Sequence, residues 1–172
     1  MIHDDVAILR TWNRSDKAEE GFVYGCWLNS YRRSPNYSRM PSADYYAWYR
    51  SALDRLFTNN DTNVYIIESK SHPGMYIGFV CMSRFRHLPV LHYVFVKGGK
   101  VGGYRQLGFA KWALQKLGIN SESKLLYTSY VPALVKRLQA MVAHAEFCAI
   151  EEFLQTGREG SHGAIQTRDS AA

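Results

Sequence analysis

Leu91–Leu117, LHYVFVKGGKVGGYRQLGFAKWALQKL, sets how the rest of the chain is read. Leu91, Tyr93 and Phe95 alternate with His92, Val94 and Val96, a β-strand period built from β-branched and aromatic residues. Gly98, Gly99, Gly102 and Gly103 break the run and mark a turn. Leu107, Ala110, Leu114 and Leu117 then recur at helical spacing. The junction carries Arg105-Gln106-Leu107-Gly108-Phe109-Ala110, an R-x-x-G-x-A pattern.

Such a junction suits an anion. A helix start leaves backbone N–H groups unpaired, and the helix dipole favours negative charge there. Gly108 removes a side chain where a phosphate would approach, and Arg105 adds a cation at the rim. An ordinary strand-turn-helix, with glycines serving only the turn, is the competing reading. The strand before the motif and the compatible helix behind it favour the phosphate cradle.

The stretch resembles the acetyl-coenzyme A binding motif of the GNAT superfamily of N-acyltransferases, Q/R-x-x-G-x-G/A after a strand. The match falls on Arg105, Gly108 and Ala110, with Tyr104 as the aromatic residue before the arginine. The resemblance implies a mixed α/β sheet with element order β-α-α-β-β-β-α-β-α-β and acetyl-CoA as cofactor. It implies that Val94, Phe95 and Val96 pair with the pantetheine arm. It also implies that Arg105, Gln106, Leu107, Gly108, Phe109 and Ala110 surround the pyrophosphate. The wording LHYVFVK followed by Tyr-Arg also resembles small acetyltransferase-like proteins encoded by bacteriophages. Two departures stand out. The turn Gly98–Gly103 is longer than the family's, and the helix Pro132–Ala143 lacks the tyrosine that family members carry there as an acid.

The remaining chain reads as one domain over residues 1–154, followed by a polar, disordered tail over 155–172. At 172 residues, 47% hydrophobic and 21% charged, the composition is that of a globular protein. No apolar run reaches the about 18 residues of a membrane helix. Cys26, Cys81 and Cys148 fit no metal pattern and read as reduced thiols of a cytoplasmic protein. The net charge is +6, and Ser69–Ser121 contains no Asp or Glu. That basic window fits a polyanionic ligand such as coenzyme A, and nucleic acid is the other candidate.

In chain order, Val6–Thr11 predicts a strand. A helix capped by Ser15 or Asp16 runs to about Tyr31, and a second runs from Pro41-Ser42 to about Phe57, with Tyr45, Trp48, Tyr49 and Leu53 on its apolar face. Asn63–Ser69 and Met75–Ser83 predict a hairpin. A link at Arg84–Leu88 leads to the motif strand. Lys124–Val131 predicts a strand, Pro132 to about Ala143 a helix, and Glu146–Leu154 a last strand.

Acyl transfer to an amine needs a polarised carbonyl, a deprotonated amine and a proton for the leaving thiolate. His92, on the motif strand and titrating near neutrality, is the first candidate base, with a strand histidine held by its neighbours as the equal alternative. Glu68 is the second candidate. Tyr127 and Tyr130 precede the tyrosine-free helix and either could substitute as the acid, Tyr130 first, with core residues as the equal alternative. The acceptor would sit between the first two helices and the sheet, with Tyr31 and Tyr46 lining it; Arg32, Arg33 and Arg39 suggest negative charge on the partner, against the favoured alternative of a solvated loop. The resulting expectation is an acyl-CoA-dependent N-acyltransferase. The rivals are an enzyme that modifies a nucleic acid base, as in Mom-type DNA modification proteins, and a non-catalytic GNAT-fold protein that binds a macromolecule.

Overall fold

The computed structural model describes residues 2–34, 37–98, 103–129, 132–150 and 153–154. A six-stranded sheet is ordered β1-β2-β3-β4-β5-β6. The strands are β1 (Ala7–Thr11), β2 (Asn63–Ser69), β3 (Tyr76–Phe85), β4 (Leu88–Val96), β5 (Lys124–Tyr127) and β6 (His144–Phe147). β1 through β4 are antiparallel, and β4, β5 and β6 are parallel. Parallel neighbours require crossovers, which α4 (Phe109–Lys116) and α5 (Pro132–Met141) supply. α2 (Lys17–Arg32) and α3 (Ser42–Thr58) connect β1 to β2, and a short α1 (Ile2–Val6) precedes β1. The mixed α/β class and the expected element order hold, with α1 added at the front.

Both faces of the sheet are covered, so its central strands are apolar on both sides. Ile66 and Phe79 face the α2/α3 layer with Trp27, Tyr49, Leu53 and Tyr93. Their neighbours Ile67 and Val80 face the other layer with Phe109, Trp112, Leu125 and Leu138. Each fully buried large side chain contributes roughly 2–3 kcal/mol. The first layer is an aromatic stack, with the Trp27 and Tyr93 rings 4.6 Å apart and nearly parallel. α2 begins as the sequence indicates: the Asp16 carboxylate accepts the N–H groups of Ala18 at 2.8 Å and Glu19 at 3.3 Å.

Four expectations are corrected. The link Arg84–Leu88 is a tight turn: Arg86 and His87 have positive φ, and Phe85 pairs with Leu88. β4 extends back through Pro89, and β5 pairs only with Val90 and Leu91, so the missing N–H breaks no ladder bond to β5. The strand expected to Val131 ends at Tyr127. The final strand is His144–Phe147; Phe153 N–H reaches the Ala149 carbonyl at 3.0 Å in a helical turn, and Ile150 and Phe153 fold into the aromatic core. Trp48, assigned to the apolar face, is 39% exposed on the flank of Tyr37 and Tyr49. The tail over 155–172 lies outside the described residues.

Candidate functional site

β4 and β5 part company near the middle of the sheet. Their pairing ends at Leu91↔Tyr127, with a last ladder bond from Thr128 N–H to the Leu91 carbonyl at 3.0 Å. On its other edge β4 shifts register between Cys81↔Tyr93 and Met82↔Leu91, which makes His92 the residue of a β-bulge. Among the described residues, β4 beyond His92 has no strand partner on the β5 side. Its backbone edge from Tyr93 to Val96 is left to something else.

A cleft of about 560 Å³ lies there, bounded by β4, the start of α4, and α5. Val94, Phe95, Val96, Arg105, Gln106, Gly108, Phe109 and Ala110 all line it, with Lys111 and Arg137. Of the nine residues expected around a cofactor, only Leu107 points away, at 57% exposure. The expected helical stripe began two residues too early: Gln106 (φ 72°) and Gly108 (φ 82°) are left-handed, so the helix starts at Phe109. Its first internal bond runs from Trp112 N–H to the Gly108 carbonyl at 2.9 Å. Gly108 caps without a side chain, so the N–H groups at the helix start have no intrahelical acceptor. An added Cβ at Gly108 would meet only the His3 ring, at 3.4 Å.

The loop before the helix is pinned from both sides. Tyr104 and Arg105 N–H groups both reach the Lys97 carbonyl, at 2.9 and 3.1 Å. Arg105 Nε donates to the Val96 carbonyl at 3.2 Å, and the side chain lies on Gly98, where a Cβ would stand 2.7 Å from Arg105 Cδ. Residues 99–102 of the long glycine turn lie outside the described residues. α1 braces the far side. His3 hydrogen-bonds the Leu107 carbonyl and sits edge-on to Phe109 at 4.8 Å. Asp4 accepts from Trp112 Nε1 at 3.2 Å and pairs with Lys116 at 2.8 Å.

A second cleft, about 750 Å³, opens between α2 and the end of β4. Gly21, Gly25, Cys26, Asn29, Ser30 and Arg33 line it from the helix, and Phe95, Lys97, Arg105 and Gln106 from the sheet side. Phe95, Arg105 and Gln106 belong to both clefts. The hydroxyls of Ser30 and Tyr93 are hydrogen-bonded, one on the second cleft and one on the first, so they bridge the two. Burial raises the Tyr93 phenol above its ordinary pKa, with the Ser30 bond opposing, so the group stays protonated. Tyr93 and Ser30 escaped sequence reading. Tyr93 shares a strand face with Phe95 and reads as core, and only the packing brings it to the junction.

The expected base is corrected. His92 is 0% exposed, with Nε2 2.7 Å from Ser83 Oγ and Nδ1 3.0 Å from Thr128 Oγ1. Burial pushes its pKa down to about 3. Both ring nitrogens are engaged, and the Phe153 ring closes over it at 4.7 Å. His92 ties β4 to β3 and β5 at the bulge and is out of reach of an acceptor. Glu68 is also committed: it accepts Arg10 Nε and Gly74 N–H, both at 2.5 Å, and lines neither cleft. Burial raises its pKa, but Gly74 and Arg10 outweigh that and hold the carboxyl below its usual range. Arg10 also pairs with the buried Glu19 at 2.7 Å. Tyr130 lies outside the described residues. Tyr127 is buried in the α4/α5 layer.

Of the acceptor residues, Arg32 holds the α2–α3 loop, donating to the Tyr37 carbonyl and to Met40 O at 2.7 Å. Tyr31 is buried against Tyr49, and Tyr46 donates to Asn29 Oδ1 at 3.0 Å. Arg39 is exposed outside both clefts, and Arg33 alone of these residues lines one. Cys26, Cys81 and Cys148 are free thiols, and the described residues form no cluster fit to hold a metal. No described helix is long and apolar enough to cross a membrane.

No family model and no curated protein matches this chain. Solved structures do. One is a possible acetyltransferase from Clostridium difficile 630, 9% identical over 97% of this chain and 95% of that one, TM-score 0.44. Another is a GNAT-family acetyltransferase from Staphylococcus aureus MU50, 15% identical over 96% and 88%, TM-score 0.43. A third is AAC(6')-Iy in complex with a bisubstrate analogue, CoA-S-monomethyl-acetylneamine, 12% identical over 96% and 95%, TM-score 0.40.

Proposed function

We propose that this protein is an acyl-CoA-dependent N-acyltransferase that moves an acetyl group from coenzyme A to an amine. The observation that carries the reading is the meeting of two clefts at Phe95, Arg105 and Gln106, where β4 leaves β5. One cleft has the features of a donor site and the other lies against α2 as an acceptor site would.

The residues fit the cofactor. The side-chain-free cap at Gly108 and the open N–H groups of the α4 start suit a diphosphate, and the helix dipole adds to them. Arg105, Lys111 and Arg137 stand around the cleft, and none of its described lining residues is an Asp or Glu. The unpaired edge of β4 suits an amide-bearing arm, which would add to the sheet as a strand does. Acetyl-CoA bound there would supply the activated thioester. The chain's own contribution is chiefly positioning: an amine held in the α2 cleft faces the β4 edge at Phe95. Tyr93, kept protonated by burial and anchored by Ser30, is the described group best placed to hold a proton for a departing thiolate. Tyr130 remains the alternative donor.

Calorimetric titration with acetyl-CoA, followed by release of free thiol in the presence of amines, tests this. Binding on the order of micromolar and amine-dependent thiol release are expected. A folded protein that ignores acetyl-CoA refutes the reading. Because His92 and Glu68 are both engaged elsewhere, a second reading has an observation in its favour: a binding protein that holds coenzyme A without turnover. Binding without thiol release from any amine would select it.

A further inference from the structure

We infer that the acceptor carries its own negative charge: a small amine bearing a carboxylate or a phosphate, seated between α2 and the end of β4. This rests on the acyltransferase reading, since it assigns the second cleft to the acceptor.

The charge in that cleft is one-sided. Its cationic lining residues are Arg33, Lys97 and Arg105, and no Asp or Glu is among the described residues that line it. Among the described residues no carboxylate lies within ion-pair distance of any of the three. They come from separate elements: Arg33 caps the C-terminus of α2, Lys97 follows β4, and Arg105 precedes α4. They therefore converge on one space and do not form a solvated face of one helix. Glu19 and Glu68 are paired with Arg10, and Glu20 with Lys17.

Within the cleft, Lys97 opposes the burial that raises the thiol of Cys26, a lining residue. Lys97 Nζ lies 5.0 Å from the Phe22 ring centroid, which positions it without neutralising it. Asn29 and Ser30 add neutral polar groups beside the cations. A cleft of about 750 Å³ with this lining would repel a polycationic amine and attract an anionic one. Arg33 and Lys97 line this cleft and not the donor cleft, so they are separable from the diphosphate cradle.

The test is a matched pair of amines, O-phosphoethanolamine and ethanolamine, titrated calorimetrically into the protein with and without saturating coenzyme A. The expected result is binding of the phosphorylated amine at least roughly tenfold tighter than its neutral partner. That preference should persist in the coenzyme-loaded protein, be lost in Arg33→Glu and be retained in Arg33→Lys. Equal binding of the two amines, binding of neither, or a preference indifferent to Arg33→Glu would overturn the inference. A preference abolished by coenzyme A would also overturn it, because the anion would then be sitting in the diphosphate cradle. Salt-sensitive binding of duplex DNA with no preference between the amines would overturn it in favour of a nucleic acid partner. Failure of coenzyme A to bind, with the Arg33-dependent preference intact, would instead refute the acyltransferase reading and leave the anion site standing.

Discussion

His92 shows how burial changes what a residue can do. Its pKa is about 3 in the folded chain against an ordinary 6.5, so the folded state prefers the neutral ring. Its stabilising share is complete above pH 6.5 and is lost as the pH falls towards 3. In that window the slope is about 1.4 kcal/mol per pH unit. Urea denaturation at pH 7.5, 6 and 5 should show this loss, and His92→Gln should flatten it; equal slopes would mean that His92 does not titrate on unfolding. Gly108→Glu places a bulky anion in the left-handed cap of α4, with roughly 1–2 kcal/mol of backbone strain. Acetyl-CoA binding should disappear, whereas Gly108→Asn, which tolerates that conformation without charge, should retain much of it. Tyr93→Phe removes one hydroxyl from the bridge between the clefts. Thiol release should fall roughly 100-fold with acetyl-CoA affinity kept, and an unchanged rate would return the proton to Tyr130 or water.

Strand β4 is the element on which both clefts depend. It pairs with β3 along its whole length, with β5 only at Val90 and Leu91, and bulges at His92 between the two regimes. Gly78, opposite Val96, leaves no room for a side chain: a Cβ there would stand 2.2 Å from the Phe95 carbonyl oxygen. Gly78→Ala must therefore push β4 outward. A destabilisation of roughly 1–3 kcal/mol is expected in chemical denaturation, with a measurable loss of acetyl-CoA affinity. Undiminished affinity would show that the edge of β4 is not part of the donor site. α1 also braces α4, since Asp4 reaches both Trp112 and Lys116. A five-residue helix has little stability of its own, so α1 exists because α4 offers it a partner.

At the scale of the molecule, the sheet splits where its connections change from hairpins to helical crossovers. Below that point the two aromatic and aliphatic layers are continuous on either face; above it lie the clefts. A ligand that fills the split replaces missing sheet contacts, so it should stabilise the entire fold. At about 100 times its Kd, acetyl-CoA should add about 2.7 kcal/mol, raising Tm by roughly 5–10 °C in a chain of this size. A thermal scan without a shift would mean that acetyl-CoA does not bind the folded chain in preference to the unfolded one.

Periodicity and turn chemistry were enough to establish most of the elements, but not α1 or the bounds of the last strand. The β-branched content of Asn63–Ser69, the Asp16 cap and the Arg105–Ala110 motif are local features, and local hydrogen bonding and sterics make them what they are. Eight of the nine residues expected around a cofactor line the cleft between β4 and α4 for the same reason, lying on one strand end and one helix start. Only the tertiary structure decided the rest. Whether His92 meets solvent depends on Ser83, Thr128 and Phe153, which arrive from three other segments. Whether Glu68 is free depends on Arg10, a strand away. The junction of Tyr93 with Ser30, and of Arg33 with Lys97 and Arg105, exists because α2 crosses the open end of β4. Burial and charge are sums over neighbours in space, and residues far apart in the chain set both.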